Sequence, residues 1–155
     1  MPQIKYKPSQ FNQRDYKKEI GSELERNEII GLFLCHGFIE QYLKNLLLLE
    51  LGETDKTEAK QVSDTIENIR FPNVLLIHLF SKTIDQKLYK ELNELNDLRN
   101  KFAHQLIRIE SEDKETKNQI QNAVQKGLDC LDNLTKKYNT KIEEIANRIE
   151  KQMKK

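Results

Sequence analysis

Apolar positions along this chain recur at helical spacing almost from end to end. Between Ser22 and Leu51, the residues Ile29, Ile30, Phe33, Leu34, Phe38, Tyr42, Leu46 and Leu49 mark one face of a long α-helix. Leu32, Ile39, Leu43 and Leu47 widen that face. So wide a stripe predicts contacts on two sides, either with two helices of a bundle or with one helix and a second subunit. Ser22 followed by Glu25 has capping-box spacing and sets the expected start near Ser22, while Gly52 supplies a stop.

Beyond a polar linker over 52–59, a weaker helical pattern runs to Ile69, where Phe71-Pro72 breaks it. The short apolar segment from Val74 to Phe80 has a length that suits helix or strand, but no partner strand occurs elsewhere, so it reads as helix. Asp85 is a suitable cap for the next helix, in which Leu88, Leu92, Leu95, Leu98 and Phe102 form the stripe. A charged loop follows over 110–115, with Ser111 as a candidate cap. The last helix carries Ile120, Val124, Leu128, Leu131, Leu134, Tyr138, Ile142, Ile145, Ile149 and Met153 nearly to the end of the chain. Pro2 and Pro8 disfavour regular structure at the start, leaving an arm with room for a short helix from Phe11.

The pattern predicts an all-α fold with a long C-terminal helix. The expected division is an arm over 1–21, a bundle over 22–137 and a basic helical extension over 138–155.

Length and composition agree with this picture. The 155 residues suffice for one core but not for two ordinary domains, and five Gly and three Pro leave helices largely uninterrupted. Charged residues make up 33% of the chain, yet the net charge is +1, so whole-molecule attraction to nucleic acid or anionic lipid is weak. Charge is concentrated locally: residues 1–20 carry +3 and residues 136–155 carry +4, leaving −6 between them. Basic ends either hold phosphates or form solvated helix surface.

Cys35 and Cys130 lie far apart in apolar patterns without a CxxC spacing, which suits a reducing setting. The first residues are polar and lack the apolar core of a signal peptide. The stretch from Ile29 to Leu51 is interrupted by His36, Glu40, Gln41, Lys44, Asn45 and Glu50, so it reads as a core helix rather than a membrane span. A cytoplasmic location is the expectation.

Candidate chemistry is concentrated in Arg99-Asn100-Lys101-Phe102-Ala103-His104. With Leu88 at 0° and about 100° per residue, Arg99 falls at roughly 20°, inside the apolar stripe. Asn100 and His104 fall at roughly 120° and 160°, on a neighbouring face. A guanidinium in an apolar stripe needs either a buried acid or an opening where an anion sits. Metal-free RNA cleavage by the ribose 2′-hydroxyl needs a group titrating near neutrality, supplied by His104, and a cation for the phosphorane, supplied by Arg99. One such set lacks a second proton-transfer group, whereas two sets across a twofold axis provide both. The spacing also fits a structural arrangement in which Arg99 pairs with an acid such as Glu40 and His104 caps the helix.

The segment Leu98 to His104, preceded by the leucine-rich helix from Leu88, resembles the signature of the HEPN family: Arg, four to six residues beginning with a polar one, then His. Here the intervening residues number four, and Asn100 is the polar one. Phe38-Ile39-Glu40-Gln41-Tyr42-Leu43-Lys44-Asn45-Leu46-Leu47 resembles the acid-containing first core helix of that family more loosely. The resemblance covers roughly residues 22–137, by the helix lengths typical of bundles. It implies an up-down bundle of four or five helices that dimerises so that two Arg/His motifs face each other, with Arg99, Asn100 and His104 as catalytic residues. Metal-independent endoribonucleases, including toxins of toxin–antitoxin pairs and antiviral effectors, are common in the family. A homodimer, an RNA substrate and a nucleotidyltransferase-type antitoxin or other protein partner are therefore expected. Other members are non-catalytic interaction or regulatory modules, including a group resembling the mannitol-operon repressor regulator.

Lys101 and Arg108 flank the motif as candidate phosphate contacts, and Glu40 is a candidate supporting acid. His36 and His78 lie in apolar runs without a second ligand at metal-binding spacing, so they read as packing residues and no metal or cofactor is expected. Neither a Gly-rich phosphate loop nor a nucleophile elbow is present, which removes kinase, nucleotide-hydrolase and serine-hydrolase readings.

Overall fold

A computed structural model describes residues 15–51, 56–104 and 114–154. Among them, six α-helices and no strand occur: α1 (Tyr16–Arg26), α2 (Glu28–Leu51), α3 (Lys56–Asn68), α4 (Phe71–Phe80), α5 (Gln86–Ala103) and α6 (Lys114–Met153). The fold is an all-helical bundle with a long C-terminal helix, as the apolar periodicity predicts.

The first helix departs from expectation. It starts at Tyr16 rather than near Ser22, because Asp15 accepts a hydrogen bond from the Lys18 amide at 3.1 Å and caps the helix upstream. Ser22 and Glu25 are exposed positions inside α1, and their capping-box spacing goes unused. The chain breaks instead at Asn27, whose side-chain oxygen accepts from the amides of Ile29 and Ile30 at 3.0 and 3.3 Å and opens α2. Gly31 permits the reversal: a Cβ there would stand 2.8 Å from the Leu24 backbone, so only glycine lets α1 lie this close to α2. Ile20 is fully buried as a result.

Later boundaries follow the sequence more closely. Pro72 sits in the first turn of α4, where its missing amide hydrogen costs nothing, and the segment from Val74 to Phe80 is helical. The Asp85 carboxylate accepts from the Leu88 amide at 2.8 Å and caps α5 as expected. Ser111, the expected cap of the last helix, lies outside the described residues, and Lys114 and Glu115 already belong to α6.

The α2 helix runs through the centre and touches all five others. Leu32, Cys35, Ile39 and Leu43 on it are fully buried, against Ile120, Val124, Leu131 and Leu134 of α6 and Leu92 and Leu95 of α5 in one core cluster. Gly127 of α6 makes room for this contact, since a Cβ there would stand 2.6 Å from the Cys35 sulfur. Beyond Tyr138, α6 continues past the core: Ile149 and Met153 are 51% and 82% exposed. No helix is long and apolar enough to cross a membrane among the described residues.

Candidate functional site

The Arg99–His104 segment occupies the last turn and a half of α5, opposite the first half of α2. Helix α5 remains α-helical through Ala103, and His104 is its C-cap, with its amide directed to the Asn100 carbonyl at 3.4 Å. Leu98 and Phe102 are buried and anchor this turn to the core.

Arg99 is half-buried, as its place in the apolar stripe requires. Its guanidinium carbon stands 5.0 Å from the centre of the Phe33 ring, and Nη1 donates to the Asn100 side-chain oxygen at 3.0 Å. The buried Nε has no partner among the described residues. An aromatic face and a neutral amide thus hold the cation, leaving its charge uncompensated by them.

Glu40, the supporting acid that a structural arrangement would pair with Arg99, is engaged elsewhere. Its carboxylate lies 2.8 Å from Lys44 Nζ, one turn along the same helix. This arrangement has a local cause, because Glu four residues ahead of Lys is the favoured order for a helical ion pair. Lys44 also donates to the Glu67 carbonyl at 2.9 Å, which ties α2 to α3.

Two residues read from the sequence as packing or not singled out at all define the floor beneath Arg99. His36 is 4% exposed, and its Nε2 donates to the Asn96 side-chain oxygen at 3.0 Å, joining α2 to α5. Its ring lies 4.4 Å from the Phe71 ring, and its Nδ1 is 4.0 Å from Glu40. Burial, with a contribution from the nearby Arg99 charge, pushes the His36 pKa below its usual value, so the ring is neutral at pH 7. Asn96 sits one turn before Arg99 and Asn100. On the helical wheel it falls at roughly 80° from Leu88, at the edge of the apolar stripe, the one signal in the sequence that marked it.

The structure therefore brings Arg99, Asn100, His36, Asn96 and Phe33 together. His104 is exposed at the helix end, and no hydrogen bond joins its ring to Arg99 or Asn100 among the described residues. Asn100 has its side-chain oxygen committed to Arg99, so within one chain that side chain orients the guanidinium rather than His104. Lys101 is exposed on the opposite flank of α5, where it lines a groove of about 500 Å³ with Glu94, Asp97, Asn122 and Lys126, apart from Arg99. Arg108 lies outside the described residues. His78 is a buried core residue donating from Nε2 to the Leu43 carbonyl at 2.8 Å. Among the described residues, no group of three or more His, Cys, Asp or Glu side chains is placed to hold a metal ion.

Chemically, the described residues offer a cation whose only hydrogen bond among them is to Asn100, an amide that orients it, and an exposed imidazole at the helix end. Such a set can bind a phosphate and move one proton. Comparison with known proteins yields no match to a protein-family model, a curated protein or a solved structure.

Proposed function

We propose that this chain is an endoribonuclease of HEPN type, cleaving RNA without a metal at a site completed by a second copy. The observation that carries this reading is Arg99: a half-buried guanidinium held by Phe33 and Asn100, about a turn and a half along α5 from the exposed His104. A partly buried cation with no acid partner among the described residues is poorly compensated in a structural role, whereas a phosphate supplies its missing charge.

In the proposed reaction, the imidazole of His104 takes the proton of a ribose 2′-hydroxyl. The 2′ oxygen attacks the adjacent phosphorus as the bond to the 5′ oxygen breaks. Arg99 stabilises the charge on the equatorial oxygens, and His104 of the second copy protonates the departing 5′ oxygen. The products are a 2′,3′-cyclic phosphate and a 5′-hydroxyl, so atoms and protons balance without an added reactant. Asn100 serves by orienting Arg99. A toxin–antitoxin or antiviral setting, with a nucleotidyltransferase-type partner, suits an enzyme of this kind.

Cellular RNA incubated with the parent protein in chelator tests the reading, with His104→Ala as control. Cleavage by the parent and none by the variant is expected; equal behaviour of the two removes the assignment. A second reading, a non-catalytic helical interaction protein, is favoured by the apolar stripe on α6 that continues to exposed Ile149 and Met153. A tight protein complex together with no RNA cleavage by the parent would select it.

A further inference from the structure

Cross-helix contacts fix which residues stand around Arg99. The His36 ring of α2 lies 4.4 Å from the Phe71 ring and bonds to Asn96 at 3.0 Å, so α4 begins in the same layer of the bundle as Asn96. From that layer α4 follows α2 forward, since His78 reaches the Leu43 carbonyl, whereas α5 runs back along α2, since Arg99 meets Phe33. The chain arrives from Glu67, beside Lys44, and turns at Arg70 to enter α4. Arg70 is therefore at the end of this turn that faces the Arg99 side of the layer. Asn100 lies one turn past Asn96, about 5.4 Å along α5. Below His36, α2 contributes Phe33, α5 contributes Arg99 and Asn100, and the turn into α4 contributes Arg70.

A purely structural part suits Arg70 poorly. It is the N-cap of α4, a position where Ser, Thr, Asp or Asn would bond the first amides and where the helix dipole opposes a cation. Its carbonyl takes the Asn73 and Val74 amides at 2.9 and 3.1 Å, which fixes the backbone, but its side chain makes no cap bond. That side chain is exposed and has no ion pair among the described residues. Arg99 repeats the pattern on the other side of the same cleft: its Nε is buried without a partner, and no acid pairs with it among the described residues. Two such cations call for a chain of anions, and the backbone of single-stranded RNA carries one at every nucleotide.

We propose that Arg70 binds the RNA phosphate next to the one that Arg99 holds. It fills the part that Lys101, on the opposite flank of α5, is not placed to take. The choice of RNA rests on the ribonuclease reading above. Arg70 has no share in the bond changes, because the phosphate it holds does not react. Binding of that kind is equally strong in the ground state and the transition state, so it lowers KM and leaves kcat alone.

Arg70→Ser tests this, because serine is the better cap and the variant should melt no lower than the parent while it loses RNA. Arg70→Gln repeats the test should Arg70→Ser melt lower. In chelator, with a single-stranded RNA of defined sequence, KM should rise by roughly tenfold, as the loss of one charged hydrogen bond implies, with kcat within about twofold of the parent. In a His104→Ala background, which leaves the RNA whole, Arg70→Ser should lower the salt slope of binding by about 0.7, one phosphate contact on a single strand. A neutral methylphosphonate placed at each linkage in turn should weaken binding most at one linkage, and that loss should vanish with Arg70→Ser. Lys90→Ser, an equal loss of charge at an exposed position in the first half of α5, should leave KM within about twofold of the parent. Equal losses from Lys90→Ser, an Arg70 effect spread evenly over all linkages, a fall in kcat at constant KM, or full affinity in Arg70→Ser overturns the proposal. A parent that binds RNA through Arg70 at one linkage but cuts nothing keeps Arg70 as a phosphate contact and refutes the ribonuclease reading. A parent that cuts RNA equally well with Arg70→Ser does the reverse.

Discussion

Replacing Asn96 by Leu isolates the polar link beneath Arg99. The substitution removes the only acceptor that the described residues offer to His36 Nε2, at a ring 4% exposed, and keeps the number and branching of the side-chain heavy atoms. A buried donor left without a partner costs about 1–3 kcal/mol, because its water is not restored when its acceptor is removed. For a chain of this size, about 2 kcal/mol corresponds to a fall in Tm of roughly 4–8 °C. Removing both partners has a different cost: with His36→Phe in the same chain, the polar demand disappears and the aromatic contact with Phe71 persists. The double variant should therefore lie within about 1 kcal/mol of the parent, giving a coupling of about 1–2 kcal/mol in a double-mutant cycle. Urea unfolding followed by circular dichroism at constant m-value measures all four corners. Additive losses, or an Asn96→Leu effect inside the roughly 0.5 kcal/mol scatter of surface substitutions, would refute the assignment of His36 and Asn96 as a satisfied buried pair.

Three further outcomes follow from named contacts. Gly127→Ala sets a Cβ 2.6 Å from the Cys35 sulfur and should destabilise by about 1–3 kcal/mol despite the better helix propensity of alanine; Cys35→Ala in the same chain should recover most of the loss in thermal melts. Burial lowers the pKa of both His36 and His78, so below the ordinary histidine value of about 6.5 the unfolded chain binds protons that the folded chain refuses. Stability should be fully present above that pH and fall as pH drops toward the lowered folded values, visible as a smaller urea midpoint at pH 5.5 than at pH 7.5. Arg99→Lys keeps the charge but loses the fork that reaches Asn100 and phosphate together, so cleavage should fall by roughly 100-fold or more while Tm changes little; full activity would contradict the role given to Arg99.

The helices that position the site were legible where apolar period and cap agree. On α5, Asp85 caps the helix and five apolar residues hold one face, and both survive in the folded chain. The start of the first helix was misread because Ser22 and Glu25 carry a valid capping pattern, while Asp15 and Asn27 carry stronger claims that depend on where α1 turns back. That turn is set by a tertiary contact, the approach of Leu24 to Gly31, which no local spacing reveals. In the site, the depth of Arg99 followed from the wheel, but its partner did not. Glu40 stands four residues ahead of Lys44 on the same helix, and that local ion pair prevails. His36 and Asn96 find each other across 60 positions, so only packing of α2 on α5 makes them a pair.

These elements give the motif a rigid base. Leu98 and Phe102 bury the turn, Phe33 and Asn100 fix the guanidinium, and the His36–Asn96 bond ties the preceding turn to the central helix. What that base leaves open is the exposed imidazole at the helix end and a cation whose Nε has no partner among the described residues.

Cleavage of a defined RNA in chelator, with one 2′-deoxy nucleotide placed at a mapped cut site, tests the central claim most directly. The account predicts that the all-ribose RNA is cut to a 2′,3′-cyclic phosphate and a 5′-hydroxyl, that the deoxy position resists, and that His104→Ala leaves both RNAs whole. Cutting at the deoxy position, or parent and His104→Ala acting alike, would contradict it.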